Sequence, residues 1–465
     1  MVVKQSMSRF AKTFLCVLWL GGFLGTFEAL HAADTFTWRT NDNRISAEIG
    51  SWPLSKLLGK VSEQTGWKVF LEPGTTRDVS VKFKSLSLGD ALRSLLGDLN
   101  FALVPETNSP SKLFVFRTSL HQATQLISPA QSADAAKKSK RIRNEIVVTL
   151  KPGANIDEIA RALGAKITGR IDALNTYRLQ FEDEAAADAA RAALANNPDV
   201  ASIDSNFPIE RPQPVQGVLA SSLPDLNLKT RAPGDCGIVI GLVDTSLQKL
   251  GGNLDNFVMT PITVAEGGQA SANTPTHATS MAETLLRSLQ AASGGQTSAR
   301  ILPVDVYGRN RTTSTFDVAN GIYRAINGGA NVINLSLGSE GDSTLLHNLI
   351  RSASQKGVVF FAAAGNEPVT TPYYPAAYPE VTAVTAGDRR GQIASYANRG
   401  DFVDVVGPGS SIVNFNGQAW FVSGTSAATA YVTGMAAGLA DSRQVCPGDV
   451  VSTIRSQLGV QSFEP

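Results

Sequence analysis

NFNGQAWFVSGTSAATAYVTG, residues Asn414–Gly434, places Ser426 in Gly424-Thr425-Ser426 at the head of a run of small residues with helix-like composition. A serine at such a place gains three things. A helix N-terminus carries partial positive charge. Its free N–H groups can bind an oxyanion. Small neighbours let a substrate backbone come close. Gly-Thr-Ser by itself is explained as well by a helix cap, so the weight falls on what stands upstream.

Four upstream stretches matter. Gly237–Val243 (GIVIGLV) is an almost unbroken apolar run that ends at Asp244. Such a run fits a parallel strand buried on both faces, and in open α/β sheets functional groups sit just beyond the carboxyl ends of strands. His277 opens a helix-like run of small residues in Thr274–Glu283 (TPTHATSMAE). A near-neutral pKa makes histidine the usual proton shuttle. Of the other histidines, His31 falls in a leader, His121 in a linker, and His347 on a predicted solvated helix face. Val332–Gly338 (VINLSLG) and Val358–Asn366 (VVFFAAAGN) are two more buried-strand patterns, and Asn366 stands just past the second. A side-chain amide there can donate to a developing oxyanion. Singly, each residue has a plain structural reading: a capping aspartate, a satisfied core histidine, a turn asparagine. Together, the order Asp, His, Ser is a known triad order.

With "VDTS", "THATSMAE", "VINLSLG", "AAAGNE" and "SGTSAATAYVTG" in this order, the region from about 217 to 465 resembles the subtilisin-like (S8 family) serine peptidases. The resemblance implies an α/β fold, a mostly parallel sheet with helices on both faces. It implies that Ser426 attacks the scissile carbonyl, His277 moves the proton, Asp244 orients His277, and Asn366 with the Ser426 N–H holds the oxyanion. Ser336, Leu337 and Gly338 would pair with substrate backbone. With Ala363, Ala364 and Gly365 they would line the S1 pocket, whose small side chains predict an open, permissive site. The chain departs from the family pattern at Ser246 and Ala278, where glycine is usual, at Pro275-Thr276 before the histidine, and at Ala427 and Ala430. None of these removes a catalytic atom. No cofactor or metal is predicted; calcium stays open, because no acidic loop stands out as a site.

Two smaller blocks precede this one. Residues 144–216 read as strand, helix, two strands, helix, strand, over Ile146–Leu150, Ile156–Leu163, Ala165–Ile171, Thr176–Phe181, Ala185–Ala195 and Val200–Ile203. This split β-α-β order, with "EIVVTLKPGANIDEIARALGAKI" and "NNPDVASIDSNFPIERP", resembles the prodomains of subtilisin-like proteases. That implies a folding chaperone and inhibitor whose tail, Ser205–Gln216, occupies the cleft. Residues 34–118 read as a second small α+β domain, where Ser87 with Asp90 resembles a capping box with Asp in place of Glu. Its apolar pattern resembles the short N-terminal domain of secretins and TonB-dependent receptors, which implies an envelope protein partner. Residues 119–143, rich in Ala, Ser, Gln and Lys, read as a linker.

The N-terminus carries Lys4, Arg9 and Lys12, then an apolar stretch and Leu30-His31-Ala32-Ala33, so 1–33 is predicted to be a cleaved signal peptide. Cys16 would leave with it; Cys236 and Cys446 then either pair or stay as separate buried thiols. A formal net charge of +1 speaks against a polyanion surface, so nucleic acid is not an expected partner. The expected function is an exported, periplasmic or secreted serine endopeptidase made as a self-processed zymogen, acting on protein or peptide substrates. The alternative is a pseudo-protease that binds peptides in an envelope assembly without cutting them.

Overall fold

The computed structural model describes residues 34–39, 42, 44–106, 110–127, 141–212, 218–219, 226–267, 273–388 and 390–460. The leader expected at 1–33 and most of the linker lie outside the described residues, as does 213–216 of the tail. Among those described, no helix is long and apolar enough to cross a membrane.

Among the described residues the front unit holds two sheets and two α-helices. Thr35–Arg39, Arg44–Pro53 and Asp78–Ser87 form an antiparallel sheet; Asn100–Val104, Lys112–Phe116, Lys68–Leu71 and Gln125–Ile127 form a second. Alternation decides its two faces. Val69, Leu71, Leu113 and Val115 pack with the helices Leu54–Thr65 and Leu88–Leu96, whereas Phe70 and Phe114 point the other way. Residues read as linker belong here: Leu120–Gln122 make one 3₁₀ turn, and Gln125–Ile127 pair antiparallel with Lys68–Leu71. The Ser87 cap also differs from expectation. Its hydroxyl accepts from the Asp90 N–H at 3.4 Å but also donates to the Asp90 carboxylate at 2.6 Å. Aspartate is one methylene shorter than the glutamate of a full capping box.

The middle unit is a four-stranded antiparallel sheet in the order Val200–Asp204, Glu145–Leu150, Thr176–Gln180, Lys166–Ile171. The helices Ile156–Leu163 and Glu184–Leu194 cover one face through Ile156, Ile159, Ala187 and Leu194. Val147 and Ile171, on the other face, close over Phe316 of the C-terminal unit.

The C-terminal unit is built on seven parallel strands, ordered Ile262–Thr263, Arg300–Asp305, Val239–Asp244, Val332–Leu335, Val359–Ala363, Val381–Gly387, Val405–Pro408. Helices cover both faces, as a parallel sheet requires. His277–Ser293 and Thr425–Arg443 bury Ile240, Leu242 and Phe361, while Thr315–Asn327 and Thr344–Ser354 bury Val243, Ile333 and Phe360. Cys236 and Cys446 are disulfide-bonded, with Cα atoms 5.3 Å apart, which resolves the two readings left open by the sequence. His347 is not simply solvated: it stacks on Tyr378 at 4.3 Å and its Nε2 lies 3.1 Å from Glu380.

The pairing of the two central helices sets the site. A β-carbon at Gly434 would lie 2.2 Å from the Leu285 carbonyl oxygen, and one at Gly438 would lie 2.8 Å from that of Leu289. Only glycine lets the two backbones come this close.

Candidate active site

Three neighbouring strands end on one edge of the sheet and deliver Asp244, Ser336 and Asn366 there, in spatial order. Each receives a partner from one of the two central helices.

Asp244 is fully buried and receives the Nδ1 of His277, the first residue of its helix, at 2.8 and 2.9 Å. Two stitches hold the loops that carry them. The Ala278 N–H donates to Thr245 Oγ1 at 3.0 Å, and the Thr276 hydroxyl donates to the Ser246 carbonyl at 2.8 Å. The Cβ atoms at Ala278 and Ser246, where glycine is usual, therefore leave the Asp–His contact intact. Ala278 is buried in the core of the first turn.

Ser426 is the second residue of the helix Thr425–Arg443, whose N-cap is Gly424 at φ +134°. The intrahelical ladder starts only at Ala428, whose N–H reaches the Gly424 carbonyl at 3.3 Å. The Ser426 N–H thus lies ahead of the first helical bond. A reciprocal pair bolts this helix to the sheet edge. Ser336 Oγ donates to the Ser426 carbonyl at 3.2 Å, and Ser426 Oγ donates to the Ser336 carbonyl at 3.2 Å. In this rotamer the Ser426 hydroxyl faces Ser336.

Asn366 is oriented by Thr425. Its Oδ1 accepts from the Thr425 N–H at 2.9 Å and from the Thr425 hydroxyl at 3.1 Å. That use of the oxygen leaves Nδ2 as the outward donor beside Gly424. Asn398 clamps the same loop by donating from its N–H to the Gly365 carbonyl and accepting from the Glu367 N–H at 2.8 Å. Thr425 and Thr245 were not singled out in the sequence, although each adjoins a motif residue.

Of the expected substrate residues, Leu337, Ala363 and Ala364 are buried, so they offer backbone only. Tyr373 stands against Gly338, another of these residues. Its hydroxyl donates to the Gly338 carbonyl at 2.6 Å, and its ring would lie 2.5 Å from a β-carbon at Gly338. The two-way backbone pairing of Ser339 with Tyr374 puts it there. Burial raises the Tyr373 pKa, with the charges of Glu367, Glu340 and Glu210 adding to it, so the hydroxyl stays a donor. No local signal near residue 373 announces a contact 35 positions away.

The tail of the middle unit runs into this edge. Pro208–Glu210 pair antiparallel with Thr312–Ser314, the Arg211 N–H donates to the Arg311 carbonyl at 2.8 Å, and Ile209 is fully buried. The Tyr307 hydroxyl donates to the Glu210 carbonyl at 3.1 Å. Beyond Pro212, the described chain resumes at Val218–Leu219, paired antiparallel with Trp420 and Ala419 on the strand that leads to Ser426.

Comparison with known proteins gives consistent matches. The subtilase family model matches residues 235–453, and the model of the fervidolysin N-terminal prodomain matches 127–206. A thermophilic serine proteinase of Bacillus sp. (strain AK1) is 31% identical over 320 residues, covering 65% of this chain and 79% of the relative. Thermitase of Thermoactinomyces vulgaris is 34% identical over 232 residues, covering 48% of this chain and 80% of its own. The fold is like that of fervidolysin of Fervidobacterium pennivorans, at TM-score 0.52 and 21% identity over 68% of this chain and 57% of that one. It is also like that of the epidermin leader peptide processing serine protease of Staphylococcus aureus, at TM-score 0.53 and 17% identity over 69% of this chain and 94% of that one.

Proposed function

The chain belongs to the subtilase family and is a serine-type endopeptidase carrying its own prodomain, and we propose that it is an exported, self-processing zymogen. The observation that carries the mechanism is the buried His277–Asp244 contact at 2.8 Å. It ties up Nδ1 and leaves Nε2 as the nitrogen for proton transfer. Ser426 swings from Ser336 to another staggered rotamer, attacks the scissile carbonyl, and passes its proton to His277. His277 then protonates the leaving amine, and water repeats the sequence on the acyl-enzyme. Asn366 Nδ2 and the Ser426 N–H hold the oxyanion. Ser336–Gly338 pair with substrate backbone, and Tyr373 restricts the P1 residue to small side chains.

Self-cleavage falls between Arg211 and Leu223. The anchored flanks favour the part before Val218, because the chain is held on Thr312–Ser314 up to Arg211 and on the strand beside Ser426 from Val218. The leader-like 1–33 and the Cys236–Cys446 disulfide both support export to an oxidising compartment. A periplasmic site rests on the resemblance of the front unit alone.

The Ser426 hydroxyl's bond to Ser336 is the observation that keeps the non-cutting alternative in view. Labelling with a fluorophosphonate separates the two. The proposal expects an adduct at Ser426 in wild type, none in Ser426→Ala, and a shortened chain only in wild type. Loss of turnover should be on the order of 10⁶, the known effect of removing a subtilisin's nucleophile. A chain that never labels and never shortens is the binder instead. A peptide series varied at P1 should favour Ala or Ser over Phe, and Tyr373→Gly should relax that preference.

A further inference from the structure

The front unit grips the peptidase at a place the middle unit does not touch. On its outward sheet face, Phe70 and Phe114 stack at 5.1 Å and are buried, with Ala123, against Val369 of the peptidase. Two polar contacts flank this cluster. Lys68 pairs with Glu367, and Arg399 Nη1 donates to the His121 carbonyl at 2.9 Å. The middle unit instead holds the starts of two helices. Arg178 meets Asp317 at 2.7 Å, while Asp204 accepts from Ser343 Oγ at 2.8 Å and from the Leu345 N–H at 2.9 Å. Thus 34–212 holds the peptidase at two separate footprints, and its two halves are joined through 128–140. The outward face of the second sheet is therefore covered by the chain itself and is not open to an outside partner.

We propose that the front unit is a second clamp that keeps the severed front half, up to about residue 212, on the peptidase as a bivalent inhibitor. This rests on the reading of self-processing given above. No disulfide can do the holding: Cys236 and Cys446 both lie beyond the cleavage window and are bonded to each other. Retention after the cut therefore depends on non-covalent contacts alone. When one footprint lets go, the other keeps it at an effective concentration in the millimolar range, and linked contacts exceed a single one by about 10²–10⁴. Cutting and activation become separate events. The nicked enzyme stays latent until both footprints release together, and the front unit sets how long that takes.

The test uses the full-length Ser426→Ala chain with 213–217 replaced by the recognition sequence of an added site-specific protease. After nicking, release of the front half is followed on dilution. Val369→Asp, placed on the peptidase, and Lys68→Glu, placed on the front unit, should each speed release, the first by about 10²-fold. Circular dichroism melting of the un-nicked chains checks that both variants fold. The same substitutions in the self-cleaving chain should shorten the delay between cleavage and peptide hydrolysis. Release at the unaltered rate from both folded variants overturns the clamp. A wild type that never cuts itself, beside a nicked chain that releases as expected, removes the self-processing reading and leaves the clamp standing.

Discussion

Two contacts in this molecule are made in opposite ways. The helices His277–Ser293 and Thr425–Arg443 meet backbone to backbone at Gly434 and Gly438, with Met281, Leu285 and Leu289 fully or almost fully buried around them. The middle unit meets the helices Thr315–Asn327 and Thr344–Ser354 through side chains of both kinds: Val147 and Ile171 close over Phe316, and Arg178, Asp204 and Asn206 bond the helix starts. The first contact brings the residues of the site together and cannot open without exposing the core. The second can part without opening the core of either unit, although Phe316 and the residues over it would then meet water. The molecule thus packs main chain against main chain where the site is assembled, and joins the two units by a side-chain seam, part apolar and part polar.

The sharpest way to break this contrast is Gly434→Val. Its side chain meets main chain, so we expect a loss of at least ~3 kcal/mol in denaturant unfolding, measured in the Ser426→Ala background to prevent self-digestion. A loss under 1 kcal/mol would mean that the helix pair has slack. Next, Asn366→Ala should lower kcat by about 10²–10³ with KM little changed, the range known for a subtilisin oxyanion donor. An equal rise in KM would instead assign Asn366 to ground-state binding. At the seam, Arg178→Ala deletes the contacts to Asp317 and Ser314, and the severed prodomain should leave roughly tenfold faster. An unaltered rate would show that these polar contacts do not govern release.

The smallest effect is a pH dependence. Burial pushes the Asp441 carboxyl up, but hydrogen bonds from Ser298, Thr297 and Arg231 outweigh it and hold the pKa below its ordinary value. A group depressed in the folded state stabilises fully above the unfolded value, about 3.9 for aspartate, and loses that contribution as pH falls through the folded value. Melting temperature should therefore drop on acidification below about pH 4, and Asp441→Asn should flatten that part of the profile. A variant profile parallel to wild type would remove Asp441 from the cause.

Much of this was legible because it is local. Ile156–Leu163 forms a helix over its predicted span, since its apolar spacing and the Asn155 cap act within a few residues. The unbroken runs ending at Asp244 and before Asn366 announced buried parallel strands in the same way. What stayed hidden depends on distant partners. Gln125–Ile127 is only three residues long and becomes a strand through Lys68–Leu71. Tyr373 reaches Gly338 through a backbone bridge that no pattern of apolar residues encodes. Phe70 and Phe114 alternate as any core residues do, so the side of the sheet that meets the peptidase cannot be told from the side that meets its own helices.

The atom nearest a β-carbon at 434 is a carbonyl oxygen, that of Leu285, and not a side chain. Crowding against a side chain can be relieved by trimming the neighbour, whereas every residue at 285 carries the same carbonyl. No second substitution at that position can rescue a first at 434, so searches for compensating pairs should find none between these two sites.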